Sequence, residues 1–138
     1  MDILSIPFHR HLNIEKSGKS GYIFQTGERP EYFNHLGTIH ACVQLALAEA
    51  ASGEFLIQEF YELKEKVIPV VRKSEARYHT PANGNLYARA EFYKSEKQVI
   101  ADDLEIRSRA LLRVKVEVFD SNKKKSLTAI FDWFITKK

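Results

Sequence analysis

Between Ile39 and Ser52 the chain reads Ile-His-Ala-Cys-Val-Gln-Leu-Ala-Leu-Ala-Glu-Ala-Ala-Ser, a run whose Ala and Leu content favours helix. It is apolar on nearly every side. A surface helix carries one apolar stripe, whereas a helix apolar all round has to be covered all round. Any fold available to this chain must therefore wrap something around this segment. Gly53 follows as a natural stop or weak point. Phe55, Leu56, Glu59, Phe60 and Leu63 then recur at three- and four-residue intervals, which predicts further helix across Glu54 to Lys66.

The wrapping material is legible downstream. Ala110, Leu112, Val114, Val116 and Val118 fall on one face of an extended run, with Arg113, Lys115 and Glu117 on the other. Leu127, Ala129, Phe131, Trp133 and Ile135 alternate in the same way after the polar stretch Asp120 to Ser126, so the two runs read as an antiparallel hairpin. Lys123-Lys124-Lys125 lies in that stretch and reads as a solvated turn. Leu86, Ala88, Ala90 and Phe92 mark another strand. The turn Thr80-Pro81-Ala82-Asn83-Gly84 joins it to an earlier one over Val67 to Tyr78. Further strands are expected at Tyr22 to Thr26 and Leu12 to Lys16, and Ser95 to Arg107 is expected to be a short amphipathic connection. One buried helix with a run of antiparallel strands describes an α+β domain; βαβ alternation, the mark of a parallel sheet, is missing.

At 138 residues the chain has the length of one ordinary domain, and we read residues 1–138 as a single one. Cys42 is the only cysteine, so no intrachain disulfide can form, and the start carries no basic, continuously apolar leader; a reducing cytoplasm is the expected setting. No apolar stretch approaches the roughly 20 residues of a membrane-spanning helix. Lys plus Arg number 21 against 18 Asp plus Glu, an excess too small and scattered to favour nucleic acid as a partner.

Gln44 and Glu49 are the long polar side chains on the greasy helix, and a buried carboxylate costs several kcal/mol unless it is bonded or paired. Glu49 should therefore face a polar cavity, solvent or another chain. At the other end, Asn34-His35-Leu36-Gly37-Thr38-Ile39-His40 forms a polar, Gly-containing loop running into the helix start. The free N–H groups and positive dipole end found there suit a carbonyl oxygen gaining negative charge, as in acyl transfer.

Asn34, Gly37, His40 and Glu49 stand at the spacing Asn-x2-Gly-x2-His-x8-Glu, and this resembles the hot-dog-fold acyl-CoA thioesterases of the phenylacetate-degradation type. The resemblance implies an antiparallel sheet of about five or six strands wrapped round a long central helix. It also implies hydrolysis of an acyl-CoA, or a related acyl thioester, to free acid and thiol, with coenzyme A as part of the substrate and no separate cofactor. Glu49 would be the general base or the nucleophile, Asn34 would hold the carbonyl or the water, and His40 would shape the helix entrance. The Ala41 N–H would polarise the thioester oxygen, with Gly37, Thr38, Cys42 and Val71 at substrate-binding positions. Ala41-Cys42 replaces the family's Gly-Gly, and Val71 stands where some members carry a Ser or Thr.

Geometry adds an expectation of its own. At about 100° per residue, His40 and Glu49 project from roughly opposite sides of one helix, so a single helix cannot aim both at one carbonyl. Two helices side by side in a symmetric dimer can, which predicts a homodimer or dimer of dimers with composite sites. The rival readings are a non-catalytic hot-dog domain that binds acyl thioesters as a sensor or scaffold, and a dehydratase acting on hydroxyacyl thioesters. Other chemistry is poorly provided for. Gly18-Lys19-Ser20 has Asn13 where a phosphate-binding loop needs its first Gly, His40 and Cys42 diverge on a helix, and neither a paired-Cys metal motif nor a Gly-x-Ser-x-Gly elbow occurs; no metal is expected.

Overall fold

The computed structural model describes residues 1–138. Its strands are β1 (Glu15–Lys16), β2 (Phe24–Thr26), β3 (Val67–Tyr78), β4 (Leu86–Phe92), β5 (Arg109–Phe119) and β6 (Lys125–Lys137). They form one six-stranded antiparallel sheet in the order β1-β2-β4-β5-β6-β3. Its helices are α1 (Pro7–His11), α2 (Ala41–Glu59) and α3 (Lys97–Arg107). The sheet curves around α2, which packs against β2, β4, β5 and β6. This is the α+β arrangement that the apolar helix demanded.

The alternating sets close the core. Ala110, Leu112, Val114, Val116 and Val118 on β5 and Leu127, Ala129, Phe131, Trp133 and Ile135 on β6 are all buried, facing Leu47, Ala48, Ala50, Ala51 and Leu56 of α2. Each fully buried Leu or Val contributes about 1.5–3 kcal/mol relative to exposure. Lys123 lies at the tip between β5 and β6, where Asp120 Oδ1 accepts from the N–H groups of Asn122 and Lys124 at 2.9 and 3.1 Å. Lys125 opens β6 and pairs with Glu117 at 3.1 Å.

Three features depart from expectation. The helix runs through Gly53, as the spacing beyond it predicted, but ends at Glu59, and a 3-10 turn at Tyr61–Leu63 replaces the helix expected as far as Lys66. Gly53 is there for close approach, since a Cβ at that position would stand 3.2 Å from Ile3 Cδ1 and 3.6 Å from the Trp133 ring. The outer strands are shorter than predicted, at Phe24–Thr26 and Glu15–Lys16. The N-terminal segment forms a 3-10 turn at Ile3–Ser5 followed by α1, and it lays buried Ile3 and His9 against the helix. Ser95 to Arg107 does contain the expected amphipathic piece, α3, with Ile100 and Leu104 turned inward.

β3 ends the sheet, so one of its edges has no strand partner. Pro69 fits an edge strand, where a missing N–H costs no ladder bond. A bulge between Val71 and Lys73 shifts its register against β6.

Candidate functional site

The loop before α2 is a set of interlocked turns. Asn34 Oδ1 accepts from the backbone N–H groups of Leu36 (2.9 Å) and Thr38 (3.1 Å) and from the Thr38 hydroxyl (3.2 Å). The Asn34 amide donates back to Thr38 Oγ1 at 2.9 Å, and the Gly37 N–H donates to the Asn34 carbonyl at 3.1 Å. Gly37 has φ +72°, a left-handed conformation that glycine adopts without the cost a side chain would bring. Asn34 and Thr38 thus build the loop, and the second N–H of the Asn34 amide has no acceptor in the chain.

His40 caps α2. Its Nδ1 accepts from the Cys42 N–H at 2.9 Å, and its carbonyl accepts from Val43 (3.1 Å) and Gln44 (3.3 Å). Among the first N–H groups of the helix, the Ala41 N–H is the one left without an acceptor, although a helix start leaves several to be satisfied. Ala41 lines a cavity of about 290 Å³ together with Asn34, Thr38, Gln44, Tyr78 and Pro81 among others. Gln44 is only 3% exposed; its amide donates to the Ile39 carbonyl at 3.3 Å, and its Oε1 has no donor. The Tyr78 hydroxyl reaches the Ala41 carbonyl at 3.3 Å, and burial, with the nearby Cys42 sulfur, pushes the phenol above its ordinary value. Cys42 is exposed and unpaired.

Glu49 lies elsewhere. Eight residues beyond Ala41, at about 1.5 Å per residue, it sits about 12 Å further along the helix. It lines a separate cavity of about 270 Å³ with Ile3, Ile6, Val70, Val71 and Trp133. Its side chain is 38% exposed, and Oε2 lies 3.6 Å from Nε2 of the buried His9. The Ser52 hydroxyl donates to the Glu49 carbonyl at 2.7 Å and accepts from the Trp133 indole N–H at 3.0 Å, fixing this turn of helix to β6.

Within one chain, then, Asn34, Thr38 and Ala41 line one cavity, with Gly37 in the loop and His40 at the cap that build its rim residues into place, whereas Glu49 and Val71 line another. One cavity supplies hydrogen-bond donors and the other a carboxylate. Three residues at these sites escaped the sequence reading. His9 stands on a five-residue helix too short to show a period, while Ser52 and Trp133 read as helix and core filler. The polar tip of Trp133 facing a helix serine was the available signal.

The family profile of the domain of unknown function DUF4442 matches residues 17–135, most of the chain. The chain belongs to the DUF4442 family. No curated protein matches this DUF4442 chain. Solved structures share its fold. A Pseudomonas aeruginosa protein of unknown function, described as a probable thioesterase, superposes with TM-score 0.81 at 16% identity over 99% of this chain and 91% of that one. A Staphylococcus aureus thioesterase superposes with TM-score 0.70 at 14% identity over 94% and 98%; it has been solved with alanine replacing a glutamine and, separately, a glutamate fifteen positions further on. A Bacillus halodurans protein with CoA superposes with TM-score 0.64 at 16% identity over 81% and 69%. At such identities the likeness establishes the fold, and this DUF4442 domain has the hot-dog fold of thioesterase-superfamily structures.

Proposed function

We propose that this DUF4442 protein hydrolyses acyl-CoA or a related acyl thioester, at sites shared between two copies of the chain, in the manner of the phenylacetate-type thioesterases. One observation carries the reading: Ala41, whose N–H is free at a helix start, and Glu49 on the same helix line different cavities. Each is half of a hydrolytic site.

Edge strand β3 supplies a way to join them. Tyr78, near one end, borders the donor cavity, while Pro69, Val70 and Val71, near the other, border the Glu49 cavity. If two copies pair β3 to β3 antiparallel about a two-fold axis near Ser74, Tyr78 of one chain stands opposite Val70 of the other. Each donor cavity then meets the partner's carboxylate cavity. Exposed Ile68, Val70 and Tyr78 provide apolar area for such a contact.

In the composite site Glu49 removes a proton from water as the water oxygen bonds to the thioester carbonyl carbon. The carbonyl oxygen gains the displaced electron pair and is met by the Ala41 N–H, with the spare Asn34 amide N–H beside it. When the C–S bond breaks, the thiolate takes the proton back from Glu49. The apolar wall of Ile3, Ile6, Val70, Val71 and Trp133 suits an acyl chain. The CoA held by the Bacillus halodurans protein of the same fold supports a CoA-type ligand, and the fifteen-residue interval of the substituted pair in the Staphylococcus aureus thioesterase is also that from Asn34 to Glu49.

The test is thiol release from a panel of acyl-CoAs by wild type and Glu49→Gln. Turnover by wild type and a loss on the order of 10²-fold or more in kcat for the variant support the reading. Tight acyl-CoA binding without turnover makes the protein a sensor or scaffold, and hydration of an enoyl thioester makes it a dehydratase.

A further inference from the structure

We propose that His9 is the positioning residue of Glu49, an imidazole that holds one carboxylate oxygen and leaves the other for substrate; the proposal rests on the hydrolytic reading above. The tautomer follows from the surroundings. His9 Nδ1 lies 2.8 Å from the Ile3 carbonyl, and a carbonyl only accepts, so Nδ1 carries a proton. The other nitrogen, Nε2, faces Glu49 Oε2 at 3.6 Å. With Nδ1 turned to the carbonyl, Nε2 is the nitrogen left to face the carboxylate, and the contact is favourable when a proton lies between Nε2 and Oε2.

Burial makes this pair more than a surface coincidence. The His9 side chain is 6% exposed, and the cavity around the pair is walled by Ile3, Ile6, Val70, Val71 and Trp133, so the imidazole is held from the protein side while Glu49, 38% exposed, keeps a face open to the cavity. The other charged group of that wall, the Met1 α-ammonium, is engaged by Glu65 Oε1 at 2.6 Å. Glu49 Oε1 has no hydrogen-bond donor in the chain and is the oxygen free to take a proton from water. A histidine that orients a catalytic carboxylate inverts the familiar arrangement in which a carboxylate orients a catalytic histidine, but the physical role is the same: fix the rotamer and settle the charge. Because Ile3 and His9 belong to the N-terminal segment, docking of that segment against α2 completes the base.

Two measurements test this, one of them independent of turnover. In ¹⁵N-resolved NMR of the His9 ring, the proposal requires a protonated Nδ1 in wild type and a displaced Nε2 resonance in Glu49→Gln. A ring protonated only at Nε2, or an Nε2 signal indifferent to Glu49→Gln, overturns the pairing even if the protein proves to be a thioesterase. In acyl-CoA hydrolysis, His9→Gln, which keeps a donor for the Ile3 carbonyl, should lower kcat tenfold to hundredfold with KM within about twofold. Free imidazole should restore part of the loss in His9→Ala. A folded His9→Gln enzyme with wild-type kcat overturns the positioning role. Wild type inactive on every acyl-CoA, with the NMR signature present, overturns the hydrolytic reading while the pair itself stands.

Discussion

Trp133 and Ser52, 81 positions apart, are joined by a 3.0 Å hydrogen bond from indole N–H to hydroxyl, and the same hydroxyl donates to the carbonyl of Glu49. Both residues are buried, so neither group has water to turn to. Ser52→Ala removes the acceptor and leaves the Trp133 N–H unsatisfied. We expect a loss of about 1–3 kcal/mol by chemical denaturation, together with reduced thioesterase turnover from a looser Glu49 turn. Ser52→Thr, which keeps the hydroxyl, should recover less than full stability because the added methyl enters a filled core.

The entrance of α2 gives a sharper chemical test. Ala41 is the first helical residue, and His40 before it has φ −57° and ψ 138°, the extended geometry that a following proline prefers. Ala41→Pro therefore deletes the free N–H while leaving the helix start well formed. The expected result is an unchanged melting temperature within a few degrees and a kcat lower by on the order of 10²-fold. Ala41→Gly, which keeps the N–H, should retain most activity.

Gly37 carries the turn that presents the loop. Nothing lies near its absent Cβ, so Gly37→Ala isolates the backbone effect of φ +72°. Calorimetry should show a destabilisation of about 1 kcal/mol.

Glu117 gives the pH dependence. Burial pushes its carboxyl up, but hydrogen bonds from Lys125 and Arg89, with the charge of both, hold it below the ordinary carboxylate value. A carboxyl lowered on folding adds stability above its unfolded value, and that stability fades as pH falls toward its folded one. Glu117→Gln should thus melt lower than wild type at pH 7, with the gap closing as the pH is taken below about 4.

Much of this fold was legible because its periods are unmixed. The two-residue alternation of Ala110 to Val118 and Leu127 to Ile135 and the all-round apolar run from Ile39 to Ser52 left few arrangements other than a sheet around a helix. Helix ends were less legible, because Gly53 signals a stop locally while its packing against Ile3 and Trp133 is a tertiary fact. At the site, the spacing of Asn34, His40 and Glu49 picked out two residues that line cavities, Asn34 and Glu49, and one, His40, that caps the helix between them. It could not show that Asn34 and Thr38 spend most of their hydrogen bonds on each other, since side-chain turns leave no periodic trace. His9 was invisible for another reason. Its partner is forty residues away, and the five-residue helix that carries it is held by docking rather than by its own propensity.

The central claim is that the two halves of the site meet only between chains, and complementation tests it most directly. Glu49→Gln and Ala41→Pro homodimers are each predicted to be inactive, and the two chains are mixed in equal amounts after unfolding and refolding together. Half of the random dimers then contain one of each, and every such dimer has one intact site of two, so thiol release from acyl-CoA should recover to about a quarter of wild type. A mixture no more active than its two inactive parents would contradict the shared site.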